Sequence, residues 1–148
     1  MSHPTDLSTM TGLEVVRALA AVTDERPSIA RLMGITIHTV DSGEVTGSVT
    51  PQPDFANALG TVHGGICATL LDAVMGCAVH TMLAPGVGYT TLELKVNYLR
   101  TVSTDAGPLT ATGSVIHAGR TTATAEGRVH DDKGHLVAHA TTTCLILS

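Results

Sequence analysis

Residues 62–76 read Val62-His63-Gly64-Gly65-Ile66-Cys67-Ala68-Thr69-Leu70-Leu71-Asp72-Ala73-Val74-Met75-Gly76, an apolar run opened by a histidine and two glycines and broken by one carboxylate. Its apolar character continues to about Leu83, where Pro85 and Gly86 stop it, so the spacing predicts one long helix from about Gly64 to Leu83. Only Gly65 to Ala84 approaches membrane-spanning length, and it holds Asp72, His80, Thr69, Thr81 and Gly76. A mid-helix Asp costs about 2.5 to 3.5 kcal/mol on insertion scales, which predicts a helix buried in a soluble domain. A helix apolar on every side must be enclosed, and the flanking sequence offers strands to do it.

Upstream, Thr11-Gly-Leu-Glu-Val-Val-Arg-Ala-Leu-Ala-Ala-Val-Thr23 has helical spacing at Leu13, Val16 and Leu19 or Ala20, with a capping box formed by Thr11 and Glu14. A second short helix is predicted from Ser28 to Met33, ended by Gly34. Ile35, Ile37, Val45 and Val49 then alternate around Asp41-Ser42-Gly43, a hairpin pattern, and Pro51 to Gly60 reads as loop. Downstream, Leu92, Leu94, Val96 and Tyr98 recur at period two. Thr121 to Val129 alternates small with polar residues, and Asp131-Asp132-Lys133-Gly134 turns into a strand from Leu136 to Leu147. The fold class is α+β.

With 148 residues and 43% hydrophobic content the chain can build one core but not two. Its net charge of −5 argues against nucleic-acid binding, which needs a basic face. Cys67, Cys77 and Cys144 form neither a CxxC nor an even set, so a reducing, cytoplasmic setting is expected. The opening MSHPTDLSTM lacks the basic and apolar regions of a secretory signal. His135 and His139, four apart in a predicted strand, lie about 13 Å apart and cannot share a metal ion. No cofactor is expected, since neither a P-loop nor a paired metal motif is present.

Glycines at a helix start leave backbone N–H groups open, and the macrodipole adds about half a positive charge there. Such a tip suits an oxyanion formed on a thioester or ester carbonyl. Asp72, desolvated by its neighbours, must be paired or face an opening, and beside a reactive carbonyl it can act as nucleophile or general base. Gly64 and Asp72 are eight residues apart, about 12 Å along one helix, too far to serve one carbonyl. Two antiparallel copies can place Gly64 of one chain against Asp72 of the other, so an obligate dimer is expected.

These residues resemble the hotdog-fold acyl-CoA thioesterases, in the branch typified by the phenylacetic-acid pathway. The resemblance rests on Asn57, His63-Gly64-Gly65, Asp72, then YTTLELKVNYLR (89–100) and GRTTATAEGRV (119–129) followed by GHLVAHATTTCLI (134–146). It implies five or six antiparallel strands around the central helix over residues 34–148, with residues 1–33 as an N-terminal helical cover, and a dimer that in many relatives pairs into a tetramer. It further implies hydrolysis of an acyl- or aryl-acyl-CoA, with the Gly64 N–H polarising the carbonyl, Asp72 of the other subunit attacking or activating water, and Asn57 and His63 shaping the site. A strand hydroxyl positions water in related enzymes. Aligning the strand selects Thr91, whereas counting from Asp72 selects Thr90. Gly65 is expected beside the substrate as well.

A hydroxyl one turn after the acid, used in another branch, is replaced here by Gly76, and the proline common after the third strand's "LR" is Thr101. Five of the eight Lys and Arg residues, Lys95, Arg100, Arg120, Arg128 and Lys133, fall between positions 95 and 133 and can form a rim for the coenzyme's phosphates. Arg120, next to Gly119 at a turn, ranks first, with Arg100 also expected at the substrate. The competing reading is a non-catalytic acyl-CoA-binding module on the same fold.

Overall fold

The computed structural model describes residues 6–22 and 26–148; Thr23, at the end of the first predicted helix, and the first five residues of the opening segment lie outside the described residues. Its helices are α1 (Gly12–Ala21), α2 (Ile29–Met33) and α3 (Gly64–His80). Its strands are β1 (Thr36–Asp41), β2 (Glu44–Val49), β3 (Gly88–Tyr98), β4 (Leu109–Ala118), β5 (Thr122–His130) and β6 (Leu136–Leu147). They form one antiparallel sheet in the order β1-β2-β4-β5-β6-β3. No helix is long and apolar enough to cross a membrane among the described residues.

The apolar run folds as α3, but stops at His80 rather than Leu83. Thr81 explains the earlier stop: its hydroxyl donates to the Ala78 carbonyl at 2.6 Å and accepts the Gly43 N–H at 2.8 Å, tying the helix end to the β1-β2 turn. Leu70, Leu71, Val74 and Met75 are fully buried, each stabilising the fold by about 1.5 to 3 kcal/mol. They sit in a trough of small residues. A Cβ on Gly113 would lie 2.6 Å from the Val74 carbonyl, one on Gly127 2.9 Å from Leu71, and one on Gly47 3.1 Å from Val74. With Ala111, Ala123 and Ala125 buried beside them, these positions let the sheet backbone approach the helix closely. β4 escapes the period-two pattern, because LTATGSVIHA mixes glycine and alanine with hydroxyl residues and carries little contrast.

The sheet encloses only part of α3. Gly65, Ala68, Thr69, Asp72, Ala73, Cys77 and His80 stay partly exposed and line one stripe of the helix, so full enclosure within one chain does not occur. The N-terminal elements cover the far end instead. Thr11 and Glu14 form the expected capping box. The Gly12 N–H donates to the Leu83 carbonyl at 3.0 Å, setting the start of α1 against the end of α3. The buried side of α1 is Gly12, Val15 and Val16 rather than a stripe through Leu19, which is exposed. Val16 and Met33 join the same core as α3. Gly34 ends α2 at φ +75°, the left-handed conformation its position requires.

β3 departs from a regular strand at one point. The register against β6 slips between Thr91 and Glu93, making Leu92 the extra residue of a β-bulge. The buried Thr142 hydroxyl anchors it, donating to the Glu93 carbonyl at 2.7 Å. A strict period of two from Leu94, Val96 and Tyr98 places Leu92 and Thr90 on the inner face. The bulge reverses that parity, so Leu92 is 55% exposed and Thr91 turns toward α3.

Candidate active site

The site is assembled on the uncovered stripe of α3. His63 is the N-cap, and its Nδ1 accepts the Gly65 N–H at 2.9 Å while its carbonyl accepts the Ile66 N–H at 3.0 Å. The Gly64 N–H, between them in sequence, meets no acceptor among the described residues. Of the first three amides of the helix, it alone stays open, at the positive end of the macrodipole. A Cβ on Gly65 would lie 3.0 Å from His63 Nδ1, so that glycine lets the cap close.

Asn57 builds the entry to this turn. Its side-chain oxygen accepts the Leu59 and Thr61 N–H groups at 2.9 and 3.2 Å, and its amide nitrogen donates to the Thr61 hydroxyl at 2.9 Å. The His63 N–H then donates to the Phe55 carbonyl at 2.8 Å, which fixes how the chain enters α3.

Asp72, about 12 Å further along the helix, accepts a hydrogen bond from the Thr91 hydroxyl on Oδ1 at 2.9 Å. Thr90, outward of the bulge, is exposed. Thr91 is paired across the sheet with Cys144, whose buried thiol also lies against the Thr91 and Thr142 hydroxyls. Burial holds the Cys144 thiol above its ordinary range and pushes the Cys67 and Cys77 thiols up to about 11, with the Asp72 charge adding to the effect at Cys77. All three thiols are therefore protonated near neutral pH and poorly suited to nucleophilic attack.

Two tyrosines bracket the stripe, and the sequence patterns assigned neither a place in the site, reading Tyr98 only as a strand residue. The Tyr98 hydroxyl donates to the Gly64 carbonyl at 2.6 Å. The Tyr89 ring packs on Gly76, where a Cβ would lie 2.6 Å from its hydroxyl, and sits 5.5 Å from the His80 ring. Burial pushes the Tyr89 phenol above its ordinary range, with Cys77 and Asp72 adding to it. The available signal was the pair of glycines, Gly64 and Gly76, at helix positions where the missing side chains make room for aromatic rings.

The basic residues do not converge within one chain. Gly119 and Arg120 lie at the β4-β5 turn, beside the row Ala123, Cys144 and Thr91, whereas Arg100 follows Tyr98 at the other end of β3. Those ends are about 23 Å apart at 3.3 Å per residue. Arg128 and Lys133 fall toward the Arg100 end, and the Gly119 N–H is taken by the Thr122 carbonyl. His135 bonds Asp131 at 3.0 Å. No cluster of three metal-ligating side chains occurs among the described residues.

A six-stranded antiparallel sheet curled around a glycine-tipped helix is the hotdog architecture of thioester hydrolases. The chain belongs to the thioesterase superfamily, whose family model matches residues 59–138. It is 32% identical over 124 residues to a Halobacterium salinarum protein provisionally named an esterase, covering 79% of this chain and 80% of that one. A 1,4-dihydroxy-2-naphthoyl-CoA hydrolase of Listeria monocytogenes is 27% identical over 105 residues, 71% of this chain and 84% of that protein. A phenylacetic acid degradation-related protein of Ralstonia eutropha superposes with a TM-score of 0.78 at 30% identity, over 88% of this chain and 98% of that one.

Proposed function

We propose that the protein is an acyl-CoA thioesterase that works as a dimer, each site joining the Gly64 N–H of one chain to Asp72 of its twin. The observation that carries this reading is the pair of groups left available on one uncovered helix face: an unbonded amide at the helix tip and a carboxylate oriented by Thr91. Their separation along α3 prevents one chain from presenting both to the same carbonyl. β3, an eleven-residue strand at the sheet edge, supports pairing with a second copy, because long open edges in native proteins are covered or blocked. Dimers of this kind can stack further into a tetramer. Three free cysteines support a reducing, cytoplasmic setting.

In the general-base form of the reaction, the water oxygen adds to the thioester carbon while its proton passes to Asp72 Oδ2, the oxygen not held by Thr91. The carbonyl oxygen becomes an oxyanion at the twin's Gly64 N–H, where one such donor is worth about 2.7 to 4 kcal/mol. Collapse breaks the C–S bond, and the departing thiolate takes the proton from Asp72. In the nucleophilic form Asp72 itself adds to the carbon, expels the thiolate and leaves an anhydride for water to open. Asn57 and His63 shape the pocket entrance in both forms, Gly65 gives the acyl carbonyl room, and Thr90 flanks the site. Arg120 beside Gly119, and Arg100, meet coenzyme A phosphates at the two ends of the sheet.

The test is thiol release from short, medium, long and aryl acyl-CoAs by the wild-type protein and by Asp72→Asn. The substitution is expected to lower kcat by about a thousandfold, within the range of general-base catalysis, while acyl-CoA binding persists. Tight binding with no hydrolysis by the wild-type protein supports a binding module and overturns the enzymatic reading. In single-turnover hydrolysis in labelled water, label in Asp72 marks the anhydride route with water attacking at the Asp72 carbonyl, whereas the general-base route labels only the released acid.

A further inference from the structure

The first turn of α3 carries a hydrogen-bonded chain that the proposed hydrolysis does not use. Tyr98 donates its hydroxyl to the Gly64 carbonyl at 2.6 Å, and a Cβ on Gly64 would lie 3.1 Å from the ring and hydroxyl. That carbonyl belongs to the peptide unit whose N–H is Gly65's, and this N–H donates to His63 Nδ1 at 2.9 Å. The sequence of contacts is therefore Tyr98 hydroxyl, Gly64–Gly65 peptide, His63 imidazole. A peptide that accepts at its oxygen is polarised and donates more strongly from its nitrogen. With Nδ1 accepting, the neutral imidazole carries its proton on Nε2.

We propose that Tyr98 is a positioning residue for the oxyanion donor: through the Gly64–Gly65 peptide it fixes the first turn of α3, the direction of the Gly64 N–H and the Nε2–H tautomer of His63. This rests on the acyl-CoA thioesterase reading. Consecutive glycines have the greatest backbone freedom of any pair, and first helical turns lack half of their hydrogen bonds. An oxyanion donor nevertheless has to be held to about 0.5 Å and 10 to 20°. Tyr98 supplies the missing restraint from outside the helix. It stands on β3, the strand whose Thr91 orients Asp72, so each chain's β3 braces the one group that chain gives to each of the two shared sites. Half of Tyr98 is exposed, so its hydroxyl is suited to steering this turn more than to stabilising the fold.

Tyr98→Phe keeps the ring and removes the donor. It is expected to lower kcat about tenfold, the effect of one hydrogen bond, with KM within about twofold of wild type and Tm little changed. Amide exchange at Gly65 should quicken, and the His63 ring nitrogens should shift toward a tautomer mixture in nitrogen NMR spectra. Wild-type kcat in this variant overturns the proposal. So does a loss of kcat without change at Gly65 and His63, which marks general destabilisation. If the wild-type protein hydrolyses no acyl-CoA, the thioesterase reading fails on its own. The exchange and NMR measurements then still decide Tyr98: quickened exchange sustains its hold on the turn, and unchanged spectra overturn it.

Discussion

At the scale of single residues, Thr91 does for Asp72 what no neighbour on α3 can do. The residues one turn away along α3 are Ala68, Thr69, Met75 and Gly76, and the one hydroxyl among them, that of Thr69, is already given to the Gly65 carbonyl. A hydrogen bond to a carboxylate contributes about 1.5 to 3 kcal/mol. Thr91→Val is therefore expected to lower kcat by about 10 to 100-fold, whereas Thr90→Val leaves it near wild type; steady-state thiol release distinguishes them. His80 gives a second expectation at this scale. Burial against the Tyr89 ring lowers its proton affinity, so the unfolded chain binds the proton more readily than the folded one. The stability carried by the neutral ring is complete above about pH 6.5 and is lost as pH falls below it. The urea midpoint should drop between pH 7 and pH 5 more in the wild-type protein than in His80→Gln. The hydrogen-bonded Glu14 and Asp131, both held below the carboxylate range, act only at lower pH.

At the scale of elements, the bulge at Leu92 and the glycine trough decide the site. Gly113→Ala would push a methyl group into the Val74 backbone, which cannot rotate away, so a loss of about 3 kcal/mol is expected in denaturant titrations. Gly88→Ala, with nothing near its Cβ position, should stay within about 0.5 kcal/mol of wild type. The helix start with its two glycines and the β1-β2 turn were legible because each is a local event, whereas the cap made by His63 Nδ1 on the Gly65 N–H and the stop at His80, set by Thr81 and Gly43, came only with the structure. Leu92 was not legible either, because its period-two pattern is indistinguishable from that of a regular strand until β6 imposes its register and Thr142 claims the Glu93 carbonyl. The choice between Thr90 and Thr91 follows from that one inserted residue.

At the scale of the whole molecule, the proposed shared site yields a complementation test. Gly64→Pro removes the N–H at the first helical position, where the backbone admits proline although the added ring presses on Tyr98 of the same chain, and Asp72→Asn removes the carboxylate. Each homodimer should be inactive, whereas mixed dimers should regain one intact site of two, and purified heterodimers should show about half of wild-type kcat per dimer under this symmetry. No recovery in verified heterodimers would place both groups of a site on one chain and overturn the shared arrangement.

By itself the sequence determined the buried helix, its glycine-tipped start, the acid within it and the α+β class, since these depend on periodicity, capping and the cost of burying charge, all properties of neighbouring residues. Only the tertiary structure decided which hydroxyl meets Asp72, which amide stays unbonded, which tyrosines sit over the helix glycines and how widely the arginines are spread. Those outcomes depend on register between strands distant in sequence, where a shift of one residue turns every side chain to the opposite face.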